Sequence, residues 1–204
     1  EEAINYYDRL VAPLTGKSVL ADWALRHKIG AIAKLGRKSE ALVLTSLMFD
    51  QNIKMMDEAY LDFSTPADPV WEECLRKAEH QHRQATLWML RGLKEVRITV
   101  EPLEKMYQLE PRSSRLEVML VRAVNQIERE YSIETLLFTT TDLDKLKKKK
   151  IALKYIQELH HFIDTVDKQS VRQPGLWNAA AGYLSILECE PAKAAAYLSS
   201  AQAQ

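Results

Sequence analysis

Two Glu-x-x-His pairs are the residues in this chain whose spacing could do metal chemistry: Glu79 with His82, and Glu158 with His161. Residues three apart share a helix face, so both side chains can reach one ion. Paired with carboxylates from facing helices, that spacing builds di-iron and di-manganese sites in helical bundles. Such a site needs both pairs to point inward. His82 falls on the apolar stripe of its segment, whereas Glu158 and His161 fall beside Lys154 and Thr165, off theirs. His82 therefore reads as a core-edge histidine with a hydrogen-bond partner. His160-His161 reads as a solvated pair, and His27 stands alone. No Gly-x-Ser-x-Gly elbow, Gly-rich phosphate loop, His-Glu-x-x-His or Cys-x-x-Cys occurs. Neither a catalytic residue nor a cofactor is expected. Two further clusters could recognise a partner. Arg122, Asn125 and Arg129 stack at i, i+3 and i+7 on one polar helix face, where planar guanidinium groups suit carboxylates. Lys145 and Lys147–Lys150 form the one charge run, able to meet phosphate or an acidic lipid surface but flanked by Asp142 and Asp144.

The elements that must position these groups are helices. The chain has 204 residues, 47% apolar and 27% charged, with 28 basic side chains against 28 acidic ones. Such a composition fits a packed protein rather than a disordered one. The charge balance argues against a dedicated nucleic-acid binder, which needs a clear Lys/Arg excess. Only 6 Gly and 7 Pro punctuate the chain, which favours helix. Cys74 and Cys189 are too few for a disulfide framework or a zinc site by themselves. No run approaches the roughly 18 apolar residues of a membrane-spanning helix. Glu1-Glu2-Ala3 is no signal peptide; it reads as a helix already under way, and the end at Gln204 also falls inside a helix-like run. The expectation is a segment of a longer chain, and compartment is left open.

The helices follow from caps and stripes. One spans 2–10, stopping near Pro13 and Gly16. Ser18 can cap a second that Gly36 ends in the left-handed conformation. Ser39 can cap a third, which reaches Phe63 with a break at Asp50-Gln51-Asn52. Residues 64–69 are the clearest turn cluster, and a sub-boundary would fall there. Asp68 and Pro69 then start a helix with Trp71, Leu75, Ala78, His82, Ala85, Met89, Leu93 and Val96 on one face about seven turns long. Shorter helices span 101–109 and 114–131; the latter has a capping box of Ser114 and Glu117, with Leu116, Leu120, Ala123, Val124, Ile127 and Tyr131 inward. The 139–142 cluster opens a helix with Ala152, Tyr155, Ile156, Leu159, Phe162, Ile163 and Val166 inward. After a polar loop at 168–175, two helices at 176–187 and 191–201 close the chain. Trp23, Trp71, Trp88 and Trp177 all fall on or near apolar stripes and are expected in the core. The fold class is all-α.

Several stretches resemble the tetratricopeptide repeat, whose period is about 34 residues. Leu35-Gly36-Arg37-Lys38-Ser39-Glu40-Ala41 looks like its turn and second-helix start. Glu2-Ala3-Ile4 with Tyr7 and Leu10 looks like the tail of a preceding repeat, with the two alanines 38 apart. Trp88 and Gly92 keep the family's spacing, although Arg91 stands where its Leu belongs. Leu109-Glu110-Pro111 is similar to a repeat end, and Gly182, Ala194 and Ala201 fall where the family has small residues. The resemblance implies antiparallel helical hairpins stacked as a TPR-like α-solenoid, a right-handed superhelix with irregular hairpins, over residues 1–204 as one region. It further implies a non-enzymatic protein–protein interaction scaffold. Its partner would be another protein, a peptide or another part of the full-length chain, held on a ridge such as Arg122, Asn125 and Arg129. The alternatives are a helical-bundle metalloprotein using Glu79, His82, Glu158 and His161, and the helical middle region of a bacterial signalling protein.

Overall fold

The computed structural model describes residues 1–14, 18–95, 99–131, 136 and 142–203. Among them every regular element is helical. Gly16, Val96 and Thr139–Thr141 of the expected helix signals lie outside the described residues. The chain forms two compact units, Glu1–Lys94 and Glu95–Gln204.

The first unit begins with α1 (Glu2–Tyr6), which runs into a π-helical turn at Tyr7–Val11, followed by α2 (Val19–Lys34) and α3 (Lys38–Gln51). Ser18 caps α2 as expected, its hydroxyl accepting from the Ala21 amide at 3.2 Å. Gly36 stops that helix at φ +81°, and the Arg37 amide returns to the Ile32 carbonyl at 3.3 Å. That pairing satisfies carbonyls a helix end leaves open. The cap of α3 is Arg37 rather than Ser39. The Arg37 fork grips Glu40 at 2.7 and 2.8 Å, and Ser39 is buried in the first turn, its carbonyl accepting from the Cys74 thiol at 3.6 Å.

Helix α3 is the centre of this unit. It buries eight residues, from Ser39 to Phe49, spread around its circumference, as a helix covered on all sides must. Thr45 and Ser46 survive there because their hydroxyls donate to the Ala41 and Val43 carbonyls at 2.9 and 2.7 Å. The break after Gln51 leads to α4 (Met56–Asp62), then to α5 (Asp68–Lys77) and α6 (Gln81–Lys94). Helix α3 packs on α2, α4, α5 and α6. The 64–69 turn cluster, where the sequence placed a sub-boundary, therefore lies inside the first unit.

The expected single helix from 69 onward is two helices. Glu79 adopts φ +50°, a left-handed conformation that costs a side-chain-bearing residue about 1–2 kcal/mol. Packing overrides that cost. Trp71 and Trp88 meet edge to face with centroids 5.0 Å apart, while a continuous helix would hold them roughly 25 Å apart at its normal rise. Arg91 lies over both rings, 4.8 and 5.4 Å from their centroids, and the Gln84 amide donates to the Leu75 carbonyl near the end of α5 at 3.1 Å.

The second unit comprises α7 (Glu101–Leu109), α8 (Ser114–Glu130), α9 (Leu143–Thr165), α10 (Pro174–Leu187) and α11 (Pro191–Gln202). Helix α10 is its centre, packing on α8, α9 and α11. Trp177 has no exposed surface and sits 6.0 Å from Phe162 and 6.4 Å from Tyr107, centroid to centroid. All seven inward residues read for α9, from Ala152 to Val166, are buried. Asp142 caps that helix, accepting from the Asp144 and Lys145 amides at 2.9 and 3.2 Å. At α8 the cap is Ser113, and Glu117 is buried in the first turn instead of closing a capping box. Helices α10 and α11 approach closely: a Cβ at Gly182 would stand 2.8 Å from Leu198 Cγ and 3.4 Å from the Ala194 carbonyl oxygen.

Candidate functional site

A cleft of about 910 Å³ opens in the first unit, walled by α2, α3 and the 64–67 segment. Its volume lies in the range of sites that enclose a small molecule or a few residues of peptide. Trp23, Arg26, His27, Gly30 and Lys34 line it from one face of α2, at helical steps of three and four. Arg26 is the brace. It forks onto Asp62 at 2.6 and 2.9 Å and reaches Glu58 at 2.6 Å, tying both ends of α4 to α2. Hydrogen bonding to Asp62, above all, raises its pKa further above the ordinary guanidinium value. That clamp sets where the chain leaves α4 and so where the far wall, Ser64 to Ala67, stands. Ala41, Leu42 and Thr45 of α3 and Val70 of α5 complete an apolar lining.

The rim is cationic. Lys34 and Lys38 are exposed and form no ion pair among the described residues, and exposed His27 adds a third group able to carry positive charge. Asp62, the one carboxylate lining the cleft, is already bound by Arg26. Trp23 is 39% exposed and lies beneath the Arg26 guanidinium at 5.2 Å. It departs from the core placement expected of all four tryptophans, while Trp71, Trp88 and Trp177 are buried. Val19 and Leu20, on the turn before it, are exposed as well, so this face of α2 is not the core stripe. One signal lay in the sequence: Gly30 is a mid-helix glycine with no capping duty. A Cβ there would meet nothing within 4 Å, so the position faces open space.

The residues singled out in sequence land elsewhere. Glu79 and His82 do not share a helix face, because Glu79 is the left-handed residue between α5 and α6. His82 is exposed rather than on an apolar stripe, and its Nε2 sits 3.0 and 3.1 Å from the two Asp50 oxygens. Glu158 and His161 are exposed on α9, with Glu158 3.7 Å from Lys154. Among the described residues no three His, Cys, Asp or Glu side chains are grouped to hold a metal. Asn125 and Arg129 are exposed on α8, but Arg122 is half-buried and its charge reaches the Tyr155 hydroxyl on α9. His160 is also unlike its expectation. It is buried, with Nδ1 2.5 Å from Glu188 Oε2 and the Tyr197 ring 5.6 Å away, while Nε2 has no hydrogen-bond partner among the described residues.

Comparison with protein-family models, with curated proteins and with solved structures finds no match for this chain.

Proposed function

We propose that this chain is a non-enzymatic protein–protein interaction scaffold built from TPR-like helical hairpins, and that the cleft on α2 receives a short acidic segment of a partner. The cleft carries the reading: an apolar lining with a half-exposed tryptophan at its wall and unpaired lysines at its rim. Buried aromatic anchors ringed by polar groups are what concentrate binding energy in peptide recognition. Carboxylates on the occupant would meet Lys34 and Lys38, and its apolar side chains would meet Trp23, Ala41 and Val70. The repeat-like hairpin is supported by the α2–α3 turn, where Gly36 is left-handed and Ala41 buried. The close crossing of α10 and α11 at Gly182 supports it as well.

Peptide display against the full chain tests the reading. Enrichment of sequences that set Asp or Glu beside an apolar residue is expected. Their affinity should fall at least tenfold in Lys34→Glu/Lys38→Glu and in Trp23→Ala, with the helical circular dichroism unchanged. Failure to enrich any sequence, or equal binding by both variants, would remove the cleft from consideration.

A further inference from the structure

The first nine residues of α9 pose a separate problem. Seen down the helix, positions 143–148, 150 and 151 are exposed on every side, Lys149 is half-buried, and burial begins only at Ala152. Three of the exposed residues are large and apolar: Leu143 at 73%, Ile151 at 61% and Leu146 at 42% exposure. Lysines interleave them. Between residues 142 and 154 there are six lysines against two aspartates. Ion pairs such as Lys147 with Asp144 at 3.8 Å and Lys154 with Glu158 at 3.7 Å join solvated side chains and neutralise little. Leu146, Leu153 and the stems of Lys150 and Lys154 line a shallow depression of about 640 Å³.

Helix geometry puts Leu143, Leu146, Lys147, Lys150 and Lys154 on the side opposite the buried stripe that starts at Ala152. Water favours the lysines there and not the leucines. A nucleic-acid backbone would likewise engage only the lysines. An anionic bilayer satisfies both sets at once, because lysines can reach anionic headgroups while the leucines enter the boundary of the acyl chains. We propose that the N-terminal half of α9 docks on the surface of an anionic lipid bilayer, lying along it without spanning it. The span of about 13 Å for nine helical residues gives two to three turns of contact. The inference is independent of the cleft and of what the cleft holds.

Vesicle flotation of the full chain tests it, with phosphatidylcholine vesicles against vesicles containing about 30% phosphatidylserine, in 0.1 M NaCl. Binding is expected only with phosphatidylserine, and it should fall at least tenfold at 0.5 M NaCl. Each lysine near such a surface contributes about fivefold in affinity, so Lys147→Glu/Lys150→Glu should lose at least 25-fold. Leu143→Ser/Leu146→Ser, which keeps every charge, should lose about tenfold. Both pairs are exposed, and unchanged circular dichroism and thermal midpoint would confirm that folding is intact. No binding to anionic vesicles would overturn the proposal, as would equal binding by the serine variant. Tight binding to a 20-base-pair DNA that is indifferent to the serine changes, without vesicle binding, would replace it with nucleic-acid contact.

Discussion

Two glycines with equal room and unequal backbones separate the roles of space and conformation in the first unit. A Cβ at Gly30 or at Gly36 would meet no atom within 4 Å. Gly30 lies within α2, where alanine is favoured over glycine by about 0.8–1 kcal/mol. Gly36 stands at φ +81°, where alanine costs about 1–2 kcal/mol. Gly30→Ala should thus stabilise by about 1 kcal/mol and Gly36→Ala destabilise by at least as much. At about 2–8 °C per kcal/mol, the span covering a 94-residue unit melting alone or the whole chain melting together, the two midpoints should move visibly in opposite directions. Thermal melts followed by circular dichroism measure both, and guanidinium titration gives the matching free energies. Gly30→Leu extends the same test to function: it should leave stability close to that of Gly30→Ala while filling the cleft, so affinity for a displayed acidic peptide should fall. A loss of stability in Gly30→Ala would mean that the cleft closes over α2 in solution, and the open-site reasoning would be refuted.

Trp177→Ala removes a ring with no exposed surface from the Tyr107–Phe162 cluster and should cost about 3–5 kcal/mol in chemical denaturation. Glu188→Leu should cost about 1–3 kcal/mol, since it leaves buried His160 with neither ring nitrogen bonded. Cys74 is buried and its thiol is pushed up to about 11, mainly by burial, while Cys189 is exposed. A thiol reagent at pH 8 should therefore label one cysteine per native chain and two after denaturation. Desolvation first, then the hydrogen bonds to Glu128 and Asp164, lift the Tyr183 and Tyr197 hydroxyls to about 12. The folded state thus holds these protons more tightly than the unfolded chain, whose tyrosines titrate near 10, so their contribution is intact below pH 10 and lost between 10 and 12. Midpoints measured from pH 9 to 12 should fall across that interval, and a flat profile would refute the assignment.

The parts of the fold legible in the sequence were those decided by local chemistry or by one long stripe. Ser18, Gly36 and Asp142 act within a turn of themselves, so their side chains or backbone freedom announce the helix ends they make. The stripe from Ala152 to Val166 was read in full because that half of α9 buries a single face. The same logic failed at Glu79, where no glycine or proline marks the turn. The reversal there is set by a contact between residues 17 apart in sequence, Trp71 on Trp88, and a periodic pattern that continues smoothly through 78–80 carries no trace of it. His160 failed for a related reason. Its partner Glu188 lies 28 residues away at the end of α10, so a pairing that justifies burying a histidine could not be seen from His160-His161 alone.

Gly30 apart, the cleft was illegible for the opposite reason, since its residues obey the local rules too well. Ala31 and Ala33 are good helix formers and Trp23 does not break the pattern, and an apolar helix face is read as core unless something says what fails to cover it. What leaves this face open is the position of the 64–67 segment, and that is fixed by Arg26 bridging to Glu58 and Asp62, 32 and 36 residues on. A charge pair between exposed residues ordinarily contributes only about 0–1 kcal/mol. Here its consequence is geometric, because a bidentate guanidinium fixes direction as well as distance. Arg26→Lys keeps the charge and gives up the fork. It should lower stability by no more than about 1 kcal/mol and yet weaken peptide binding in the cleft, because the far wall is no longer held at one distance from α2. A variant that binds as the parent does would show that the wall stands by the packing of Phe63 and Val70 alone.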